Sequence, residues 1–334
     1  MPVEAVPSRR AVLRGLGSTA AALGLGGCAG LAASGTTVDV SDLEANPTLL
    51  AATTRKAVNG AAASPWFGPG RAGAMTVARV KLTPPSRNRF SLASIGLGEW
   101  RIDGIERVRR VGDLFGPQAG ARDVLIYVHG FNQTFETAVL DAVQLSDAIR
   151  FHGDTMVFSW PSKANLFDYG YDRESAMWSR DALQDVLDGL AASPSVGQIN
   201  IVAHSIGSML AMEALRQFYT RHGDAVADRI GAVVFASPDI DIDVFSSSVQ
   251  RIGPLAAKVT VIAATNDRAL ELSGWLAGGI TRVGAAQKAQ LAQLGLRVID
   301  ASDEGWGLIN HDLFLSNSAV RQVIRKAVAG HPGK

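Results

Sequence analysis

Apolar runs alternate with segments of helical periodicity over most of the chain. Residues 124–128 are continuously apolar, as is typical of a strand covered on both faces of its sheet. The next segment carries apolar residues at helical spacing, and the final segment before the C-terminus does the same. This alternation predicts a doubly wound, mostly parallel α/β sheet with helices on both faces. Further strands are predicted at 155–160, 199–203, 232–236, 259–263 and 296–300.

Two strands of a different kind are predicted ahead of these. Residues 75–82 alternate between apolar and polar side chains, as a half-buried strand does, and Pro84 and Pro85 end the run. A weaker strand signal covers 100–108. We expect both to be antiparallel edge strands that precede the parallel sheet, within one domain over residues 74–330.

One stretch predicts a reactive serine. The apolar run at 199–203 ends in Ala203-His204-Ser205-Ile206-Gly207, and helix-forming residues follow at once. A strand that turns sharply into a helix lifts a serine hydroxyl above the sheet and leaves the next backbone N–H able to bind an oxyanion. The residues two before and two after Ser205 must be small. The first is Ala203, where glycine is usual, and the second is Gly207. The alternative is a small-residue packing site where a strand enters a helix.

The position of each histidine along the chain selects a candidate base. In parallel α/β sheets, functional groups collect at the carboxyl ends of the strands. Only His311 both follows the serine and lies in a loop after a predicted strand. His129 comes just before a loop expected to supply a backbone N–H, so we interpret it as shaping that loop, and His204 is expected to pack sideways. His152, His222 and His331 fall at the opposite rim or in the tail.

The acidic residues can be sorted in the same way. Asp267 follows the predicted strand at 259–263 and lies between Ser205 and His311 in the chain, which is the serine–acid–histidine order of α/β hydrolases. Asp239 and Asp241 follow the preceding strand and remain alternatives. Either could equally cap a turn.

These residues together predict acyl-transfer chemistry. His311 would take the Ser205 proton, Asp267 would orient the imidazole, and the backbone N–H groups of Phe131 and Ile206 would bind the oxyanion. No metal ion or organic cofactor is required. The aromatic residues after 155–160 are interpreted as an acyl-chain site or as packing of a cap. The adjacent charges at 172–174 are interpreted as a solvated or cap-locking cluster.

Composition narrows the class of protein. The chain has 334 residues, is 47% hydrophobic and carries a formal net charge of +1, which suits one large globular domain or two small ones. Near-neutral charge gives no electrostatic reason to expect a nucleic-acid partner. A single cysteine excludes an intrachain disulfide framework and a cysteine-based zinc site.

That cysteine ends a segment typical of export signals. Arg9 and Arg10 precede an uncharged stretch at 15–27, which ends in Leu-Gly-Gly-Cys28 and resembles a twin-arginine signal with a lipobox. We expect residues 1–28 to be a lipoprotein signal peptide and 29–73 a flexible linker. The mature protein would then be lipid-anchored at Cys28 on the periplasmic side of a bacterial envelope, with the outer membrane favoured because Ala29 follows the cysteine. The alternative is a frayed N-terminal helix with a buried thiol.

Several motifs together resemble a known family. They are 124–132, Phe-Ser-Trp-Pro-Ser at 158–162, Tyr-Asp-Arg-Glu-Ser at 171–175, the apolar entry to the serine turn and Ser-Pro-Asp-Ile-Asp at 237–241. The combination is similar to a bacterial family of uncharacterised α/β hydrolases of the esterase/lipase superfamily, over residues 75–329. The resemblance implies the α/β-hydrolase fold and a serine-hydrolase site acting on a small-molecule or lipid ester. The alternative is a catalytically inactive hydrolase fold that serves as a surface binding protein.

Overall fold

The computed structural model describes residues 48–58, 64–85, 100–115, 120–264, 266–267, 270, 273–274, 279, 281–286, 288–302 and 317–329. The strands in this part of the chain are β1 (Thr48–Ala57), β2 (Phe67–Thr83), β3 (Arg101–Val108), β4 (Arg122–Val128), β5 (Asp154–Ser159), β6 (Val196–His204), β7 (Ile230–Ala236), β8 (Val259–Ala263) and β9 (Arg297–Asp300). The α-helices are α1 (Phe135–Ala148), α2 (Tyr169–Trp178), α3 (Arg180–Ala192), α4 (Ile206–His222), α5 (Ile242–Val249), α6 (Lys288–Ala292) and α7 (Ser318–Ala329). Short 3-10 turns occupy Val111–Leu114, Leu166–Asp168, Gly223–Arg229, Gly253–Lys258 and Val283–Ala285.

All nine strands belong to one sheet, in the order β3-β2-β1-β5-β4-β6-β7-β8-β9. The pairs from β1–β5 across to β8–β9 are all parallel, and β2 runs antiparallel to both of its neighbours, β1 and β3. The predicted α/β-hydrolase fold, a doubly wound and mostly parallel sheet, is confirmed. The two strands predicted ahead of it form as β2 and β3 and pair antiparallel with each other, but only β3 is an edge strand; the edge expectation is wrong for β2, which lies between β3 and β1.

The parallel strands are apolar throughout because both faces of the sheet are covered. Successive side chains of a strand point to opposite faces. On β4, Ile126 packs with residues of α3, α4 and α5, whereas Leu125 and Tyr127 pack with residues of α1 and α7. This explains why the strands appear in the sequence as continuous apolar runs rather than as alternating patterns.

The strand register brings the carboxyl ends together at one edge. Val128 at the end of β4 lies opposite Phe158 on β5 and Ala203 on β6. Across the sheet, Ala263 at the end of β8 lies opposite Asp300 on β9. The segments that follow these strands therefore emerge side by side, and this edge positions the candidate site.

The expected flexible linker at 29–73 is wrong where the structure describes it. Residues 48–57 form β1, which lies between β2 and β5 and is buried from Leu49 to Arg55, and 67–73 begin β2. The Ala- and Thr-rich composition of residues 48–57 is like that of a tether, but the Thr53 hydroxyl has a partner, since it donates to Ser159 O at 2.7 Å. The folded region thus includes residues well before position 74. Residues 1–47, with Cys28, and 59–63 lie outside the described residues.

No helix among the described residues is long and apolar enough to cross a membrane.

Candidate functional site

Ser205 lies at a strained turn between β6 and α4. Its backbone has φ 53° and ψ −125°, a left-handed conformation that is unfavourable for a residue with a Cβ. The surrounding structure fixes it, because the Ser205 N–H donates to Ala236 O at 3.0 Å and the Ser205 carbonyl accepts from Ser208 N at 3.0 Å. Non-glycine residues held in this way concentrate at functional sites.

The small residues around Ser205 permit a close approach between elements. A Cβ added at Gly207 would lie 2.3 Å from His129 O and 2.7 Å from Val128 O, so the first turn of α4 packs directly against the end of β4. Ala203 is fully buried, and its carbonyl accepts from Ser208 Oγ at 2.9 Å. Small residues are therefore needed here for packing. The strained serine is an additional feature that packing alone does not require.

The segment His129–Gln133, called the 129–133 loop below, lies against the serine. A Cβ added at Gly130 would lie 2.6 Å from His204 Nδ1 and 3.0 Å from Ser205 Cβ. Phe131 follows, with its ring in edge contact with that of Tyr169 at 5.6 Å between centroids. Ile206 is the first residue of α4, and the first N–H groups of a helix have no partner within the helix. The structure thus brings both predicted N–H donors into segments that adjoin Ser205.

His129 is a structural part of this loop. It is fully buried and stacks on Trp160 with 4.6 Å between ring centroids. Its Nδ1 lies 2.8 Å from Gly130 O, its Nε2 lies 3.1 Å from Trp160 O, and Trp160 Nε1 donates to His129 O at 2.8 Å. Burial, reinforced by the nearby Arg55 cation, lowers the pKa of His129 well below its usual value. This shift favours the neutral form of the ring, and its contacts favour the predicted loop-shaping role.

Arg55 on β1 is a residue of the site that the sequence analysis missed. Its Nε donates to Ser159 Oγ at 2.8 Å, its Nη1 to Ser162 O at 2.9 Å and its Nη2 to Gln133 O at 2.7 Å. Burial lowers its pKa to about 10, against the opposing effect of the Asp172 carboxylate. The apolar run before Arg55 was the available signal of a strand, but it lay within the segment interpreted as a linker.

Asp172 on α2 binds the same region from the other side. Its side chain is fully buried and accepts from Lys163 N at 2.8 Å, from Asn132 N at 3.4 Å and from Ser162 Oγ. Burial raises the pKa of this carboxyl, and the hydrogen bonds oppose the shift. The solvated interpretation of this charge is wrong, and the locking interpretation fits.

The predicted acid lies among the described residues, and the predicted base does not. Asp267 lies in the segment after β8, on the predicted edge, and is fully buried. Its carboxylate accepts from Leu270 N at 3.2 Å. His311 lies outside the described residues, so the pairing of Asp267 with His311 stays a prediction.

Asp241, one alternative acid, caps a helix. Its carboxylate accepts from Asp243 N and from Val244 N, each at 3.0 Å, at the N-terminus of α5. This is the capping arrangement that aspartate commonly provides.

Asp239, the other alternative, is part of a buried ion pair. Its Oδ1 lies 2.9 Å from Arg282 Nε, and the carboxylate also accepts from Tyr169 Oη at 2.7 Å and from Ser273 Oγ at 2.8 Å. Burial and the Asp239 carboxylate raise the pKa of Tyr169. Asp239 still lies beside the serine, since its N–H donates to Ser205 O at 3.2 Å.

No group of three or more His, Cys, Asp or Glu residues in the described ranges is arranged to hold a metal ion.

Comparisons with known proteins agree with this architecture. A family profile described as "Alpha/beta hydrolase of unknown function (DUF900)" matches residues 117–327. The uncharacterized protein alr1448 of Nostoc sp. strain PCC 7120 is 26% identical over 128 residues, which are 31% of this chain and 33% of that protein. The match therefore spans about a third of the relative's length.

Solved esterase structures are more distant. A Pyrobaculum calidifontis esterase is 15% identical with a TM-score of 0.40, covering 79% of this chain and 84% of its own. Est1E from Butyrivibrio proteoclasticus is 12% identical with a TM-score of 0.42, covering 78% of this chain and 96% of its own.

Proposed function

Since the chain belongs to the DUF900 family of α/β hydrolases, we propose that it is a serine hydrolase that cleaves carboxylic esters through an acyl-enzyme. The observation that carries the proposal is the left-handed conformation of Ser205 between β6 and α4, with the 129–133 loop packed against it. A nucleophile elbow requires this combination of a strained serine and a neighbouring loop that supplies an N–H.

The reaction would proceed in two steps. Ser205 Oγ bonds to the acyl carbon as its proton passes to His311, and the alcohol leaves with that proton when the tetrahedral intermediate collapses. Water then loses a proton to His311, attacks the acyl-enzyme and releases the acid, and Ser205 recovers its proton. The N–H groups of Ile206 and Phe131 stabilise the oxyanion in both steps, and Asp267 stabilises the imidazolium.

The position of Asp267 supports it as the triad acid. It is a fully buried carboxylate after β8, one strand before the segment that contains His311, and it accepts from Leu270 N at 3.2 Å. Asp241 caps α5, and Asp239 forms an ion pair with Arg282. A buried carboxylate beside an imidazole is the arrangement that keeps the base correctly oriented.

The test is a kinetic series on p-nitrophenyl esters of graded acyl length. Ser205→Ala and His311→Ala should lose nearly all activity, and Asp267→Asn should lose about 10³- to 10⁴-fold in kcat. Asp241→Asn is the matched control and should stay near wild type. Activity retained by Asp267→Asn but lost by Asp239→Asn would move the acid to the segment after β7. Activity retained by Ser205→Ala would reject the serine mechanism.

The same series probes the substrate. Phe167, in the segment after β5, is 95% exposed, while Trp160 is fully buried and serves packing. Phe167 lies two residues before Tyr169, whose ring contacts that of Phe131, and an exposed aromatic ring can contact an apolar acyl chain. We therefore propose a small-molecule or lipid ester as substrate, and we expect kcat/KM to rise with acyl length and to rise less steeply in Phe167→Ser.

For location, we propose that the mature protein is lipid-anchored through Cys28 to the periplasmic side of a bacterial envelope. The support is the sequence pattern of paired arginines, an uncharged stretch and Leu-Gly-Gly-Cys28. Cys28→Ser should leave an unprocessed precursor or release the protein from the membrane fraction. A Cys28→Ser protein that migrates and fractionates like wild type would contradict the anchor.

A further inference from the structure

We propose that Arg55, on a strand outside the matched family region, is a positioning residue that fixes the 129–133 loop for oxyanion binding. The inference rests on the proposed serine mechanism. It places a residue that supports catalysis on β1, which lies ahead of the region that the family profile matches, because that region begins at residue 117.

The contacts of Arg55 span two loops and the strand between them. Nη2 binds the carbonyl of Gln133, the last residue of the 129–133 loop, and Nη1 binds the carbonyl of Ser162 in the segment after β5. Nε binds the hydroxyl of Ser159 at the end of β5. A guanidinium presents its donors in a rigid planar fork, so fixing one acceptor helps to fix the others.

A second group holds the neighbouring residue of the loop. The Asn132 N–H donates to the Asp172 carboxylate at 3.4 Å, and the Gln133 N–H donates to Ser162 Oγ at 3.1 Å. Ser162 Oγ donates in turn to Asp172. The chain directly after Phe131 is thus held at its N–H groups by Asp172 and Ser162 and at its carbonyl by Arg55.

The choice of an arginine argues against a purely structural role. Arg55 is 1% exposed, and its hydrogen bonds in the described part of the chain go to uncharged oxygen and nitrogen atoms, while the Asp172 carboxylate acts on it only through space. Burying a cation with only neutral acceptors is costly, and an apolar side chain would fill the same space at lower cost. What an apolar side chain cannot provide is simultaneous attachment of two carbonyls and a hydroxyl around the loop.

The expected effect follows from the geometry that an oxyanion hole demands. Its donors act only when they lie about 2.7–3.1 Å from the oxyanion, and removing one donor costs roughly 10²- to 10³-fold in kcat. A loop freed from Arg55 should shift the Phe131 N–H by enough to weaken this bond. Ground-state binding of the ester should change much less, because the oxyanion forms only during the reaction.

The experiment compares Arg55→Met, Arg55→Lys and Arg79→Met in the full chain. Arg79 on β2 is the matched control, since it also donates to a backbone carbonyl, that of Leu114, at 3.3 and 3.1 Å, and Leu114 lies in a different loop. The readouts are kcat, KM, the melting temperature and the Ki of a boronic acid that forms a tetrahedral adduct with Ser205.

For Arg55→Met we expect kcat to fall roughly 100-fold, the boronic-acid Ki to rise by a similar factor and KM to stay within about threefold. Arg55→Lys should recover about tenfold of the loss, because an ammonium still donates to part of the acceptor set. Arg79→Met should lower the melting temperature and leave kcat and Ki unchanged.

A folded Arg55→Met protein with wild-type kcat and Ki would overturn the proposal. So would equal losses in Arg55→Met and Arg79→Met, which would indicate a general effect of destabilisation. If Arg55→Met does not fold, Ser159→Ala decides, since it removes the Nε acceptor together with the 3.4 Å contact between Ser159 Oγ and His129 Nε2 and leaves the other Arg55 hydrogen bonds in place, and unchanged kcat and Ki would then reject the positioning role. Failure of the serine mechanism itself is distinguishable, because Ser205→Ala would then keep full activity.

Discussion

Two buried arginines lie near Ser205, and their guanidinium groups have different kinds of partner. Arg55 on β1 and Arg282, in the segment after β8, are each 1% exposed. Arg282 places its guanidinium 2.9 Å from the Asp239 carboxylate, whereas Arg55 donates to carbonyl and hydroxyl oxygens of three residues. The charge of Arg282 is neutralised by a carboxylate, whereas Arg55 divides its hydrogen bonds between the 129–133 loop, the end of β5 and the segment after β5.

The difference separates a structural role from a positioning role. The Arg282 segment pairs with the backbone after β7, through Val283 N to Ile240 O at 2.9 Å and Ile242 N to Thr281 O at 3.2 Å. Its ion pair therefore completes a region that is already ordered by backbone contacts. The 129–133 loop has no such pairing among the described backbone hydrogen bonds. Side chains hold it instead, those of Arg55, Asp172 and Ser162 at Asn132 and Gln133 and that of Trp160 at His129.

The largest effect on stability should come from breaking the ion pair. Arg282→Met leaves the Asp239 carboxylate buried without its cation, which typically costs about 3–5 kcal/mol in the free energy of unfolding. Urea denaturation measures this loss. The double variant Asp239→Asn/Arg282→Met should recover much of it. If Arg282→Met were as stable as wild type, the ion pair with Asp239 would not contribute to the free energy of unfolding.

Arg55→Met should cost less stability while costing more activity. Leaving a buried acceptor without its donor typically costs about 1–3 kcal/mol, below the loss expected for a buried carboxylate. Urea denaturation of Arg55→Met beside Arg282→Met, with kcat measured on both, tests the contrast. The contrast between the two arginines would be contradicted if Arg282→Met kept its fold and lost kcat.

Tyr169→Phe removes one hydrogen bond from the ion-pair region. The Tyr169 hydroxyl donates to Asp239 at 2.7 Å, and Arg282 and Ser273 remain as partners of that carboxylate. We expect a loss of about 1 kcal/mol in the free energy of unfolding and a kcat within about twofold of wild type. A much larger fall in kcat would instead indicate that the Tyr169 hydroxyl takes part in the reaction.

The smallest effect is a pH dependence at Asp172. Burial raises its pKa above the unfolded value, so the native state holds this proton more tightly and the resulting stability is lost as pH rises through the raised pKa. Wild type should therefore lose stability relative to Asp172→Asn as pH rises. Asp103→Asn is the control of opposite sign, because the Thr83 hydroxyl lowers the pKa of Asp103. Urea denaturation from about pH 2 to 7 follows the slope of both comparisons. Equal slopes for the two comparisons would contradict the assignment.

The sequence predicted the centre of the sheet and the serine turn because their signals are local. Strands covered on both faces are continuous apolar runs, and the turn requires small residues at fixed spacing around Ser205. Gly207 lets α4 approach the end of β4, and the carbonyl of Ala203, at the end of β6, accepts from Ser208 of α4.

The sequence did not predict β1 or Arg55, because their signals are long-range. Thr53 and Arg55 both bind Ser159, more than a hundred residues away in the chain, and Arg55 also binds Gln133, 78 residues away. Without those partners a run rich in Ala and Thr looks like a tether. Asp172 raises the same difficulty, since its burial depends on Asn132 and Lys163 rather than on its neighbours in α2.

The most direct test of the central claim is covalent labelling of the serine. Folded wild-type protein is treated with a fluorophosphonate, and the modified peptide is identified by mass spectrometry, with Ser205→Ala and Ser208→Ala in parallel. We predict a single adduct on Ser205 in wild type and in Ser208→Ala, and none in Ser205→Ala. No adduct in folded wild type would contradict the proposed function and favour a binding protein, and an adduct that persists in Ser205→Ala would contradict Ser205 as the nucleophile.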